Sequence, residues 1–164
     1  MIQQLLTLLA MNKWILLTFS LLVFAGCNGK YEMGDFYKDN DTKGIVVQVD
    51  GDGRAVLVMS LDEAVNINAD SAFIWAEQLD GGGWHLPTKE EMTTIRKYKN
   101  LVNSTLERKG YNTILTNHTF YWTGTPCSES HTYACGPDGI KCYFNQNLSS
   151  CYRARAVKRI DKQI

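Results

Sequence analysis

The stretch LDGGGWHLPTKEEM, residues 79–92, fixes the course of the chain at its centre. Gly81, Gly82 and Gly83 permit positive φ and close backbone approach. Pro87 biases Leu86 towards extended geometry. Thr88 followed three positions later by Glu91 is a capping box, with Pro87 and Met92 at the staple positions around it. The chain must turn, run extended through Trp84-His85-Leu86-Pro87, and enter a helix. That helix is expected from about Lys89 to Lys99, with Met92, Ile95 and Tyr98 at apolar helical spacing. Glu90 and Glu91 near its start and Arg96, Lys97 and Lys99 near its end suit the macrodipole, so these charges need no functional explanation. Trp84 and Leu86 are expected in the core, and His85 on the exposed alternate face.

The flanking segments set the class. GIVVQVDGDGRAVLVMSL, residues 44–61, is a β-hairpin: two β-branched apolar runs flank Asp-Gly pairs. DNDTKGIVVQVD, residues 39–50, has acids at EF-hand-like spacing. Lys43 stands where an oxygen ligand belongs, and strand follows where a helix should, so the turn reading is preferred to calcium. Residues 69–79, ADSAFIWAEQL, read as a helix with Phe73, Ile74 and Trp75 as apolar surface and Asp70 as N-cap. Residues 101–110 read as a short helix ended by Gly110. TFYWTGTP, 119–126, is strand-like, residues 127–151 show no helical period, and YRARAVKRI, 152–160, alternates as a closing strand. Hairpin, helices, then strands and long loops make an α+β domain.

Residues 14–26, WILLTFSLLVFAG, form an apolar run preceded by Lys13 and ended by small residues before Cys27. This is the pattern of a secretory signal, and the run is short for a membrane span of about 20 residues. FAGC resembles the lipobox of bacterial lipoproteins, which implies acylation of Cys27, although Phe24 departs from the usual residue there. A plain signal cut near Gly26 and an uncleaved anchor are the alternatives. Met11-Asn12-Lys13 makes a better signal start than Met1. The expected organisation is a signal over 1–26, a lipidated Cys27 and polar tether over 27–43, a domain over 44–160, and a tail over 161–164. The chain carries 17 Lys and Arg against 17 Asp and Glu. Removing the signal takes away only Lys13, and a near-neutral chain lacks the basic stripe of nucleic-acid binding.

GWHLPTKEEM, YWTGT and YRARAVKRI, in that order, resemble the Gly-Trp-x-Leu-Pro-Thr, Tyr-Trp-Ser-Ser-Thr and Arg-Val-Arg-Ala-Val-Arg signatures of the FISUMP-type (major paralogous domain) family of bacterial exported lectin-like domains. The hairpin resembles that family's opening, so the likeness spans about residues 44–160. It implies a C-type lectin-like fold: a small mixed or antiparallel sheet, two to three flanking helices, and a long-loop region displaying variable side chains. The Glu-Pro-Asn, Gln-Pro-Asp and Trp-Asn-Asp signatures of calcium-dependent sugar binding are absent from the sequence.

Chemistry centres on the late segment. An exported chain meets an oxidising space, so Cys127, Cys135, Cys142 and Cys151 read as two bridges. Three connectivities are open; Cys127–Cys135 with Cys142–Cys151 closes the shortest loops and is the expectation. Cys127, His131, Cys135 and Cys142 supply a Cys₃His zinc set, but not at tight knuckle spacing, so no metal or other cofactor is expected. SSCYRARA, 149–156, loosely resembles the Cys-Tyr-Arg stretch of formylglycine-generating enzymes. That alternative makes a thiol oxidase of Cys142 and Cys151. No Gly-x-Ser-x-Gly elbow is present.

A non-catalytic binding surface is the preferred reading. Ser128, Glu129, His131, Tyr133, Asp138, Tyr143, Asn145, Gln146 and Asn147 have the Tyr, Ser and Asn character of adaptable binding loops. The expected partners are the membrane, through the lipid, and a glycan, protein or envelope component; a purely structural envelope or fimbria-associated role is the alternative. Asp70-Ser71-Ala72 also fits a short O-glycosylation pattern of some Gram-negative anaerobes, with the helix cap as the preferred account. The expected location is the outer membrane of a Gram-negative bacterium, on its periplasmic or surface face.

Overall fold

A computed structural model describes residues 30–111, 115–116, 118–145 and 151–161. The expected signal, Cys27 and the start of the expected tether lie outside the described residues.

The Asp-Gly hairpin forms where alternation places it. β2 (Thr42–Val49) and β3 (Ala55–Ser60) pair antiparallel around a turn at residues 50–54. In that turn the Asp50 carboxylate accepts from the Asp52 and Arg54 amides, both at 2.9 Å. Side chains alternate, so Ile45, Val47, Leu57 and Met59 enter one core cluster while Val46 and Val58 enter the other. Both faces of this sheet are covered, which is why its strands read as nearly continuous apolar runs. β1 (Phe36–Asp39) adds to β2, and Tyr37 is buried. The expected tether therefore contributes a strand, and the domain begins well before residue 44. Alternation over only four residues, among charges, hid it.

After β4 (Ala64–Ile67) the chain enters α1 (Ala69–Glu77). Its cap is Asn68, not Asp70: Asn68 is extended and its side chain accepts from the Ser71 amide at 2.9 Å. Ala69, Ala72 and Ala76 form the buried stripe, Phe73 and Trp75 are half-buried, and Ile74 is 57% exposed. The helix lies against the cluster that holds Trp84, Leu86 and Trp122, where methyl groups fit and larger side chains are turned aside.

The glycine corner folds as read. Gly81, Gly82 and Gly83 all have positive φ, and β5 (Trp84–His85) follows. Trp84 and Leu86 are buried and His85 is exposed. α2 (Lys89–Lys97) opens on the complete Thr88–Glu91 capping box and buries Met92 and Ile95. α3 (Lys99–Arg108) follows at once, buries Val102 and Leu106, and ends before Gly110 at φ +82°.

The remaining strands are β6 (Tyr121–Ser128), β7 (His131–Gly136), β8 (Gly139–Phe144), β9 (Tyr152–Ala154) and β10 (Val157–Arg159). Residues 127–144 are thus mostly an antiparallel meander rather than long loops. The Cys, Ser and Gly content of this segment masked its alternation. The single closing strand is two: at Arg155-Ala156 the chain leaves one sheet and joins the other. The sheets run β1-β2-β3-β10-β5 and β4-β9-β6-β7-β8, with β6 and β9 the one parallel pair among the described strands. The class is α+β: two five-stranded sheets with α1 over one core and α2 and α3 over the other. Among the described residues, no helix is long and apolar enough to cross a membrane.

Candidate functional site

The meander β6-β7-β8 carries most of the residues singled out in the sequence. Its register decides which of them meet. Ser128 lies opposite His131, and Tyr133 opposite Cys142. Tyr143 lies opposite Thr132, one step out of phase, so it faces the other side of the sheet. The expected surface is therefore split in two.

On the first face, Ser128, Ser130, His131 and Tyr133 gather at the β6–β7 turn. The hydroxyls of Ser128 and Ser130 each lie 3.0 Å from His131 Nδ1. Glu129 is exposed in the same turn. Tyr133 is half-buried, with the Lys89 ammonium 5.0 Å from its ring centroid. Lys89 is held there because its amide donates to Thr125 Oγ1 at 3.0 Å. The carbonyl of Tyr133 accepts from buried Thr123 Oγ1 at 2.7 Å, which fixes the strand beneath. Sequence reading did not mark Lys89 or Thr125; the only signal was that the capping box places Lys89 at the head of a helix.

On the second face, Tyr143 joins Phe120, Trp122 and Tyr152. Tyr143 lies 4.8 Å from Tyr152, 5.4 Å from Phe120 and 6.2 Å from Trp122, centroid to centroid. Trp122 donates from Nε1 to the Ile67 carbonyl at 2.8 Å. Asn145 closes this face: its carbonyl accepts from the Ala69 amide at 3.1 Å and its amide donates to Ser130 O at 2.9 Å. Asn145 thus ties α1 to the meander, and the half-buried Tyr143 packs into the aromatic cluster on this face. Asp138, in the exposed β7–β8 turn, pairs with Lys141, and that hydrogen bond holds its carboxyl below the usual range. Gln146 and Asn147 lie outside the described residues.

The cysteines correct the expected pairing. Cys127 bonds Cys142, with Cα atoms 6.4 Å apart. Cys127–Cys135 is blocked by register: Cys135 faces Tyr121, six positions back along β6 from Cys127, roughly 20 Å at strand rise. The bridge spans β7 because β6 is bulged. Pro126 faces Thr132 and Ser128 faces His131, leaving Cys127 as the extra residue, and a bulge re-aims its side chain. Cys135 is buried in the core with Tyr121, and Cys151 is half-buried just before β9. The proposed Cys142–Cys151 pair does not form, because Cys142 is already bonded. Among the described residues, no group of three or more His, Cys, Asp or Glu is placed to hold a metal ion.

Charge is also buried, at the junction of the sheets. Arg155 and the Glu63 side chain are fully buried, with Arg155 Nε 3.5 Å from Glu63 Oε1. Arg153 Nη1 donates to Glu63 Oε2 at 2.8 Å, and Tyr121 donates its hydroxyl to Oε1 at 3.1 Å. Arg155 Nη1 also donates to the carbonyls of Leu61 and Ser60, at 2.7 and 3.1 Å. Burial, then Glu63, raises the Tyr121 phenol above its ordinary value. Burial pushes the Arg155 guanidinium down while Glu63 pulls it back up. The alternating arginines were visible in YRARAVKRI, but not that Arg155 is buried and that both meet Glu63.

One open cleft of about 330 Å³ lies at the other sheet, lined by Tyr37, Asp39, Asp41, Lys158 and Asp161 among others. Lys158 is committed to the fold there, donating to Thr42 Oγ1 at 2.9 Å and to the Gly81 carbonyl at 2.8 Å.

No protein-family model matches this chain, and no curated protein is found to be similar to it.

Proposed function

We propose that this chain is an exported lipoprotein whose lectin-like domain binds a polar ligand, a glycan or a protein surface, at the outer membrane of a Gram-negative bacterium. The FISUMP-type motifs, the apolar leader and the lipobox-like FAGC support that reading. One observation carries it most: the β6–β7 turn presents Ser128, Glu129, Ser130, His131 and Tyr133 from a meander whose β6 and β8 are joined across β7 by the Cys127–Cys142 bridge. A rigid aromatic beside adaptable hydroxyls and a cation is the composition of a recognition surface. Preorganisation by a disulfide lowers the ordering cost of binding. The thiol-oxidase alternative loses support because Cys142 is bonded to Cys127 rather than paired with Cys151.

The test is binding of the soluble chain from residue 28 onward to glycan and protein arrays. A specific signal should fall at least tenfold in Tyr133→Ala and His131→Ala, and persist in Asp138→Ala at the far end of the meander. Silence on both arrays, or a signal that both substitutions leave intact, sinks the binding reading. Acylation is read separately, as the mass of the amino-terminal peptide from membrane fractions, which Cys27→Ser should abolish.

A further inference from the structure

The Asp70-Ser71-Ala72 motif competes in the sequence with a cap at Asp70, and the structure removes that competitor. Asn68 caps α1, and it does so through the backbone amide of Ser71, not its hydroxyl. Ala72 is fully buried, and the core accounts for it. Asp70 suits the positive end of the helix, but its carboxylate makes no hydrogen bond or ion pair with any described residue. Ser71 is exposed, and its hydroxyl likewise has no described partner. Three positions on, and so on the same side of the helix, Ile74 is left 57% exposed. The acceptor hydroxyl and an uncovered apolar side chain therefore share one outward face, with the half-buried Asp70 beside them.

We infer that Ser71 is an O-glycan acceptor, a reading that rests on the chain being exported. The co-reactant is a sugar activated as a glycosyl phosphate or diphosphate. Ser71 Oγ attacks the anomeric carbon and forms the new C–O bond. The anomeric bond to phosphate breaks, and its electron pair leaves on the phosphate. The hydroxyl proton passes to a base of the transferase. Asp70 offers that enzyme a free carboxylate beside the acceptor, and a sugar on Ser71 covers Ile74.

The experiment produces the full chain in a Gram-negative anaerobe that performs this O-glycosylation, fractionates the cells, and measures intact and peptide masses. The expected result is an envelope-located chain whose peptide containing Ser71 is heavier by one or more sugars. Ser71→Ala and Asp70→Ala should lose that increment completely, and Ser71→Thr should keep it. Unmodified Ser71→Ala should retain the wild-type thermal midpoint, because alanine keeps the amide that Asn68 caps. An exported, folded chain with bare Ser71, or an increment that survives Ser71→Ala, overturns the inference and leaves the envelope reading standing. A chain retained in the cytoplasm with its leader intact overturns both.

Discussion

Arg155 carries a charge into the interior at the point where the chain passes from one sheet to the other, and Glu63 meets it there. Taking away Glu63 leaves the Arg155 charge buried without its carboxylate, whereas taking away Arg155 leaves Glu63 still paired with Arg153. Glu63→Leu should therefore cost about 3–5 kcal/mol in urea unfolding, and Glu63→Leu/Arg155→Leu should be more stable than Glu63→Leu alone. Tyr121 touches the same cluster and gives it a pH dependence. Its folded pKa is raised, first by burial and then by Glu63, above an unfolded value of about 10. Its contribution is thus complete below about pH 10 and is lost as pH rises through the folded value. Tyr37, raised by burial and by Asp39, acts in the same direction. Guanidinium midpoints from about pH 8 to 11 should fall, and Tyr121→Phe should flatten part of that fall; an unchanged slope would remove Tyr121 from the account. The residues were all legible, and their placement was not: an alternating Arg-x-Arg reads as a solvated strand face until a second sheet covers it.

Elements divide by how local their signals are. The capping box, hairpin turn and αL glycine after α3 formed as read, because each is decided by hydrogen bonds and dihedrals within a few residues. Thr88→Ala should accordingly cost about 1 kcal/mol, measured by thermal unfolding. α1 is the contrary case. Phe73, Ile74 and Trp75 read as its apolar surface, but close contact with the tryptophan layer fully buries Ala69, Ala72 and Ala76 and leaves Phe73 and Trp75 half-buried and Ile74 exposed. Ala72→Leu should overpack that contact and cost about 1–3 kcal/mol, whereas Ile74→Ser should cost little or nothing. The bulged β6 shows the same dependence on neighbours: four cysteines announced bridges, but only strand register named the pair. Breaking Cys127–Cys142 by Cys→Ser replacement of both should cost about 3 kcal/mol for a loop of this length, and Cys135→Ser should leave the bridge intact in a peptide map.

At the scale of the whole molecule, the two sheets share two cores, and the amino-terminal strand belongs to them. Tyr37 is buried in the core, with its ring tilted against that of Tyr31 at 5.5 Å between centroids. A chain begun at residue 44 loses that burial and bares the edge of β2. It should be less stable than one begun at residue 30 by at least about 2 kcal/mol. Equal denaturation midpoints would return residues 30–43 to the role of a tether. The split of the meander into two faces also belongs to this scale. Tyr133 and Tyr143, equivalent in composition, take opposite sides of one sheet, Tyr133 beside Lys89 near the β6–β7 turn and Tyr143 against Phe120, Trp122 and Tyr152.

By itself the sequence determined the class, the hairpin, the glycine corner, the capping box that opens α2, the glycine that ends α3, and the presence of cysteine crosslinking in the late segment. Each is written in torsional preference, turn chemistry and short-range hydrogen bonding, which act between near neighbours. Only the tertiary structure decided which strands pair, which face of each goes inward, which cysteine reaches which, and that Arg155 is inside and Ser71 outside. Those outcomes depend on contacts between residues as far apart as Glu63 and Arg155, and a one-residue change of register reverses every side chain on a strand.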